Sequence, residues 1–357
     1  MSGTFGKKIQ LSIFGESHGP AIGITMSGLP AGIKFDFDEV KKDMKRRAPG
    51  KDVYSTARKE GDNFNIISGI FEDRTDGSPL CAVIGNINVK SEDYKATRYV
   101  MRPGHADYAS YIKHNGFNDS RGGGHFSGRL TAPIVFAGAL AKQILAQKNI
   151  EIGSHIFSIK NVVDDMVDYV DIDKTMLRKF RNSDFPVVNQ KKKIPMQKEI
   201  MDAKTDGDSV GGIIEGFAIN IPVGVGEPFF DSIESVLAHL LFSIPAVKGV
   251  EFGKGFGITY LNGSKANDTM YRTDNGDIKC YSNNNGGITG GLSNGMPLVV
   301  KVAIKPTPSI AMDQRTVDVQ KEENLMINIK GRHDPCIIQR AIPVVEAVIA
   351  LGLLELM

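Results

Sequence analysis

Four stretches of the sequence set glycine beside histidine, arginine or aspartate, and each has residues that can do chemistry. In Gly15-Glu16-Ser17-His18-Gly19 the glycines permit a tight turn that exposes its side chains. There His18 can move a proton and Ser17 can hydrogen-bond an oxyanion. As plain local structure the same turn is a hairpin tip with a surface histidine. In Arg102-Pro103-Gly104-His105-Ala106-Asp107 the fork of donors on Arg102 suits a phosphate or a carboxylate, or simply pairs with Asp107. Arg121-Gly122-Gly123-Gly124-His125-Phe126-Ser127-Gly128-Arg129 stands directly before an apolar helical stretch. Glycines leading into a helix N-terminus leave amide groups pointing outward, where the helix dipole favours an anion. Ser127 can cap that helix, and Arg121 and Arg129 bracket the anion site with positive charge. In Lys330-Gly331-Arg332-His333-Asp334-Pro335, before the last helical stretch, Asp334 is a helix cap, a base or a charge partner.

Two further stretches join them. Asn283-Asn284-Asn285-Gly286-Gly287-Ile288-Thr289-Gly290-Gly291 is a loop whose amides can approach a ligand closely. Lys305-Pro306-Thr307-Pro308-Ser309 offers a cation and two hydroxyls. Lys41, Lys42, Lys45, Arg46 and Arg47 form either a solvated helix face or a basic patch, with Arg47 at the helix end able to reach a site. No G-x-x-x-x-G-K-[ST], no G-x-G-x-x-G after the first strand, no H-E-x-x-H and no G-x-S-x-G elbow is present, which weighs against P-loop, dinucleotide, zinc-protease and serine-hydrolase chemistry. What remains is rich in Arg, Lys, His and amide donors and poor in acids. Such a site calls for a polyanionic small molecule.

The elements that must position these residues have both periods. Ile9–Phe14 and Ala21–Met26 are expected as strands, Asp38 as the cap of a helix reaching Arg47, and residues 64–70 and 80–89 as strands. Residues 90–128 are a long functional loop with a short helix near 108–114. Residues 130–147 are apolar on most sides and are expected as a core helix. Helices follow at 172–181 and at 195–203, the latter with Pro195 at its first position and Lys191-Lys192-Lys193 in a solvated loop before it. Then come a strand at 212–221, a helix at 232–242, a Gly-interrupted strand at 250–261, a polar loop at 262–295, strands at 298–304 and 325–329, and an apolar helix at 337–354. Strands and helices do not alternate strictly, so the expected class is α+β, with antiparallel sheets packed on buried helices in one unit.

Composition sets outer bounds. The 357 residues have 41% hydrophobic and 24% charged side chains, the mixture of a globular protein with a large core. Lys+Arg 43 against Asp+Glu 41 leaves net +2, which excludes binding to nucleic acid or anionic membrane driven by overall charge. No apolar run approaches the roughly 20 residues of a membrane span. Residues 1–10 lack the apolar core of a signal peptide, so a cytoplasmic location is expected. Cys81, Cys280 and Cys336 are an odd number without C-x-x-C, which argues against disulfides or structural zinc, and Cys81 is expected to be buried.

The segments GESHGPAIGITMSGLP (15–30), RPGHAD (102–107), 122–140, VKGVE (247–251), 286–291, 305–309 and GRHDPCIIQRAIPVVE (331–346) together resemble the chorismate synthase family, in family order and over nearly the whole chain. The resemblance implies a single domain over 1–357 with a β-α-β sandwich fold. It implies loss of phosphate from C3 and a proton from C6 of 5-enolpyruvylshikimate 3-phosphate, an anti 1,4-elimination that needs reduced FMN (FMNH2) without net redox change. By the resemblance, His18 protonates the leaving phosphate, His105 lies near the flavin, and Asp334 takes the C6 proton with flavin N5. Arg47, Arg102, Arg129 and Arg332 hold substrate, supported by Ser17 and Ser127. Flavin contacts fall on His125, Phe126, Ser127, Pro245, Ala246, Gly290, Lys305, Pro306, Thr307, Pro308, Ser309 and Arg332. His125-Phe126-Ser127 and Pro245-Ala246 depart from common family residues, and a frequent arginine falls on Val53, with Lys51 and Arg58 as substitutes. Homotetramers are implied. No separate reductase segment is evident, so reduced flavin is expected from an external reductase, with NADPH used only if the chain reduces FMN itself. No nucleic-acid or membrane partner is expected. Two other readings are a flavin- or anion-binding module without lyase activity, and a nucleic-acid binder using residues 41–47.

Overall fold

Alternating burial marks the strands: Leu80, Ala82 and Ile84 are buried, with Cys81 and Val83 between them half-exposed. The computed structural model describes residues 3–50, 54–55, 61–87, 98–329, 331 and 333–357. In order, these form β1 (Thr4–Phe5), β2 (Gln10–Gly15), β3 (Ala21–Ser27), α1 (Phe37–Arg47), β4 (Phe64–Ser68), β5 (Ile70–Phe71), β6 (Arg74–Thr75), β7 (Leu80–Gly85) and α2 (Asp107–Lys113). The 3-10 turns Gly124–Phe126 and Gly128–Leu130 lead into α3 (Thr131–Ala146). Next come β8 (Glu151–Ile159), β9 (Val162–Val163), α4 (Lys174–Arg181), α5 (Gln190–Thr205), β10 (Gly212–Ile219), α6 (Ile233–Ser243) and β11 (Val247–Phe252). The rest is α7 (Gly263–Ala266), β12 (Met270–Arg272), β13 (Ile278–Cys280), β14 (Ile288–Thr289), β15 (Leu292–Ser293), β16 (Leu298–Ile304), β17 (Asp313–Asp318), β18 (Glu323–Asn328) and α8 (Ile338–Leu356). Every strand pairing among the described residues is antiparallel, as the α+β expectation requires.

The chain divides into two compact units; it crosses between them inside α3, α5 and α8, and again just before β10 and just after β16. The first unit (Met1–Ala137, Gln197–Val210, Pro306–Arg340) holds a sheet of order β1-β2-β3-β7-β4. Its central strand buries Ile22, Ile24 and Met26 completely. The second unit (Gly138–Met196, Gly211–Lys305, Ala341–Met357) holds a sheet of order β11-β16-β10-β8-β9. Phe217 and Val299 of that sheet pack with Leu177 and Phe180 of α4. Within the same unit α3 meets α8 so closely that a Cβ on Gly138 would lie 2.2 Å from Ala347 Cβ, so only glycine fits there.

Several local expectations are corrected. Asp36, not Asp38, caps α1: its carboxylate accepts from the Asp38 and Glu39 amides at 2.9 and 3.2 Å. Asn189 Oδ1 accepts from the Lys191 amide at 3.0 Å and starts α5 early, so the three lysines are helical and Pro195 lies inside the helix. β11 stops at Phe252 because Gly253 and Gly255 turn at φ +56 and +54. The loop expected at 262–295 contains α7 and two hairpins, and β17 adds a strand that the sequence pattern does not foreshadow. Cys81 is half-buried rather than buried. Residues Gly128–Ala146 are long and apolar enough to cross a membrane, contrary to the sequence expectation, but 72% of that window is buried in the protein, as befits a core helix.

The second unit also buries charge. His155 lies between Asp164 (3.3 Å) and Glu215 (3.0 Å), stacked on Phe180 and Phe217. Tyr169 donates to Glu215, and Lys301 Nζ is 3.6 Å from it. Burial alone would lower the His155 pKa, but hydrogen bonds to Asp164 and Glu215 raise it above 6.5. Burial would raise Asp164, but the His155 hydrogen bond and the Val188 and Asn189 amides hold it below 3.8. A raised histidine pKa stabilises the fold fully below 6.5, and that contribution is lost as pH rises through the folded value. The depressed Asp164 stabilises above 3.8, and its contribution is lost as pH falls through its folded value. Melting temperature should therefore fall as pH is raised above 6.5, with a slope that His155→Gln abolishes. A wild-type profile flat over that rise would contradict the assignment.

Candidate active site

The β2–β3 hairpin requires glycine at its exit, where Gly15 has φ +93 and a Cβ would lie 2.3 Å from Ala21 O. His18 is not at the surface, being only 7% exposed. Its Nδ1 is 3.1 Å from Ser17 Oγ. The glycine run lies against this pair: a Cβ on Gly122 would sit 2.3 Å from His18 Cε1 and 2.9 Å from Ser17 Oγ. Its amides are therefore not all aimed outward at an anion. Gly123 N–H donates to Ser17 Oγ at 3.4 Å, Gly124 N–H to Arg121 O at 3.1 Å, and Gly124 O accepts from the Ser17 amide at 3.1 Å. His125 Nδ1 donates to Gly15 O at 2.8 Å, which fixes its tautomer. Phe126 is exposed, with His114 edge-on to its ring. Ser127 Oγ accepts from the Arg129 amide at 3.2 Å and caps the 3-10 turn ahead of α3.

The arginines are not short of acids, as the sequence suggests, because distant carboxylates meet them. Arg102 forks onto Asp107 at 2.7 Å through both Nε and Nη2, and Nη2 also donates to Gly122 O. Arg121 forks onto Asp119 instead of facing an anion site, and that pairing holds the Asp119 carboxyl below its usual range. Arg47 and Arg129 share Asp62: Arg47 Nη1 lies 2.5 Å from Oδ2, and Arg129 Nη1 bonds Oδ1. Arg47 Nε also reaches Thr131 Oγ1 at 3.2 Å, and Arg129 Nε reaches Asn86 Oδ1 at 3.1 Å. The Asn86 amide group donates to Glu16 O and Gly19 O, both at 2.9 Å, and so ties Arg129 to the turn that carries His18. Elsewhere on α1, Lys41, Lys42 and Arg46 pair with Asp38, Glu39 and Asp43, which leaves little of a nucleic-acid face.

Asp334 precedes α8 by four residues and pairs with Arg340, so it is a charge partner rather than the helix cap. Arg340 Nε donates to Arg47 O at 3.1 Å. His105 Nε2 is 2.7 Å from Ser309 Oγ, and its amide donates to Arg102 O at 3.3 Å. Thr307 O accepts from Ser209 Oγ, while Thr307 Oγ1 is buried with no hydrogen-bond partner among the described residues. Ser17, His18, Arg47, Arg102, His105, His125, Ser127, Arg129, Ser309 and Asp334 thus fall in the first unit. Hydrogen bonds and single backbone steps join them in one chain, from His105 through Arg102, Gly122, Ser17, Asn86, Arg129, Asp62, Arg47 and Arg340 to Asp334. Lys330, Arg332, Lys51, Val53 and Arg58 lie outside the described residues.

Pro245, Ala246, Gly290 and Lys305 belong to the second unit. Ala246 holds φ +76, and its carbonyl accepts from the Lys305 amide at 3.0 Å. Burial pushes the Lys305 ammonium below its usual pKa, and Lys248 nearby pushes the same way. Gly290 turns the β14–β15 hairpin at φ +63, with open space where a Cβ would stand. Asn283 fixes that loop, accepting from the Gly287 amide at 2.7 Å.

Sequence reasoning misses Asp62, Asn86 and Arg340. Asp62 and Asn86 carry no local pattern. Arg340 carries a faint one: a cation in the first turn of an apolar helix opposes the helix dipole and implies a partner.

A family model described as chorismate synthase matches residues 9–357. The chorismate synthase of Dehalococcoides mccartyi is 44% identical over 356 residues, covering 100% of this chain and 96% of that relative. Those of Thermococcus kodakarensis and Methanocaldococcus jannaschii are 44% and 41% identical, covering 97% and 99% of this chain and 94% and 96% of theirs. A solved chorismate synthase structure is similar with a TM-score of 0.77 at 28% identity, over 99% of this chain and 92% of that one.

Proposed function

The chain belongs to the chorismate synthase family, lyases of aromatic amino acid biosynthesis, and from that premise we propose that it converts 5-enolpyruvylshikimate 3-phosphate to chorismate and phosphate. The reaction breaks the C3–O bond to phosphate and the C6–H bond, forms a new double bond, and leaves the net oxidation state unchanged. What supports this reading is the hydrogen-bonded chain linking His18, four arginines and Asp334, which pairs a proton donor and a proton acceptor with cations for a substrate carrying a phosphate and two carboxylates.

His18, held at Nδ1 by Ser17 Oγ, delivers a proton from Nε2 to the departing phosphate. Arg47, Arg102 and Arg129, with Arg332, bind the anionic groups, and fixed guanidinium charge stabilises the charge that grows on the leaving group. Asp334, oriented by Arg340, takes the C6 proton on its carboxylate. The residues present fit a flavin mononucleotide. In the first unit Thr307 Oγ1 is an orphaned buried hydroxyl; in the second an anion would relieve the desolvated Lys305 beside Lys248, and Gly290 leaves open space where a Cβ would stand. Of the flavin contacts that the family resemblance implies, residues 125–127 and 306–309 lie in the first unit, with His105 bonded to Ser309, and Pro245, Ala246, Gly290 and Lys305 lie in the second. When bound, reduced FMN would supply transient electron density for the elimination.

We further propose one catalytic domain that assembles as a homotetramer in the cytoplasm and receives reduced flavin from an external reductase. The test is an oxygen-free assay of purified protein with substrate and reduced FMN. Phosphate and chorismate should appear in equal amounts. Full turnover without flavin would overturn the reading, and sustained turnover on NADPH and oxidised FMN alone would overturn the external supply.

A further inference from the structure

We propose that Asp62 and Asn86 are positioning residues of this reaction, holding Arg47 and Arg129 as one oriented anion site tied to the turn of His18. The inference rests on the substrate reading above, in which the two arginines meet the substrate's anionic groups. The Asp62 side chain is 0% exposed, and each oxygen takes a different arginine, themselves 2% and 9% exposed. Without that carboxylate the two buried guanidinium groups would lose the acid that they share, a costly change. With it the three groups carry a single net positive charge.

Each arginine is also gripped on a second edge. Arg47 Nε bonds Thr131 Oγ1 at 3.2 Å. Arg129 bonds Asn86 Oδ1 at 3.1 Å and Gly85 O at 3.3 Å. A planar guanidinium held on two edges keeps its plane and direction, which is what multidentate recognition of a phosphate needs. Asn86 makes the link to proton delivery: its Oδ1 accepts from Arg129, and its Nδ2 donates to both Glu16 O and Gly19 O, the carbonyls that flank Ser17 and His18. Asp62 adopts φ +45, a left-handed conformation that aspartate tolerates better than most residues, and this sets the carboxylate at the start of the chain entering β4.

The test compares Asp62→Asn and Asn86→Ala with wild type. It measures kcat and KM for substrate, KM for reduced FMN, inhibition by inorganic phosphate, and the rise in melting temperature that phosphate causes. Both variants should raise substrate KM and the phosphate inhibition constant by roughly tenfold or more, leave the FMN KM unchanged, and lose most of the phosphate-induced thermal shift. Asp62→Glu, which keeps the charge, should recover part of the shift. Folded variants with wild-type KM and wild-type phosphate response overturn the proposal. So does failure of both variants to fold, which makes the residues supports of the fold alone. If wild type binds phosphate but does not turn over the substrate, the functional reading fails, while the thermal shifts still decide the role of Asp62 and Asn86. A wild type that phosphate does not stabilise at all counts against the anion site itself.

Discussion

Replacing His18 by alanine is expected to lower kcat by about 10²- to 10⁴-fold, the usual contribution of a positioned acid, while circular dichroism and melting temperature stay near wild type. The imidazole is buried beneath Gly122 and fixed at Nδ1 by Ser17, so its orientation is set before substrate arrives. A phosphate that leaves fully charged is a poorer leaving group than a protonated one, and a proton placed at its oxygen lowers that barrier. His18→Asn, which retains a polar group of similar shape but cannot donate as an acid, should be as slow as His18→Ala. Phosphate release under oxygen-free conditions is the measurement. Rates within a few-fold of wild type in both variants would show that the proton comes from elsewhere.

Asp334→Asn is expected to slow turnover by a similar factor of about 10² or more. Asparagine keeps the outline of the side chain and one acceptor for Arg340, so the loss isolates the charge and basicity of the carboxylate. If Asp334 takes the C6 proton, that step becomes rate-limiting in the variant. Substrate deuterated at C6 should then show a larger isotope effect with Asp334→Asn than with wild type. An unchanged rate, or a slow variant without any increase in isotope effect, would assign the proton to another base.

The parts of the fold that are legible in the sequence are those set by local periodicity. β2, β3, β16, α3 and α8 fall within a residue or two of their expected spans, because apolar spacing and burial agree there. β17 is hidden because Asp313, Gln314, Arg315 and Thr316 carry no apolar alternation. Its strand exists through pairing with β18 and through Met101, whose amide bonds Val317 O. Lysines 191–193 read as a loop because charge favours solvent. Asn189 capping and an exposed helix face satisfy the same preference.

The candidate site divides in the same way. Histidines and arginines inside glycine clusters announce themselves, and the structure gathers most of them in one unit. Their carboxylate and amide partners do not, since Asp62 lies 67 positions from Arg129, and Asn86 lies 43 from it. Nothing local distinguishes such a residue from a surface loop acid. The glycine run shows a related limit. Its composition suggests outward amides, whereas at Gly122 the missing Cβ serves to let the chain lie on His18.

The most direct test of the central claim is to count phosphate against flavin in a sealed, oxygen-free reaction started with a small amount of reduced FMN and a large excess of substrate. Many phosphates should be released per flavin, with the flavin still reduced when substrate is exhausted. One phosphate per flavin oxidised, or release that continues undiminished when flavin is omitted, would contradict it.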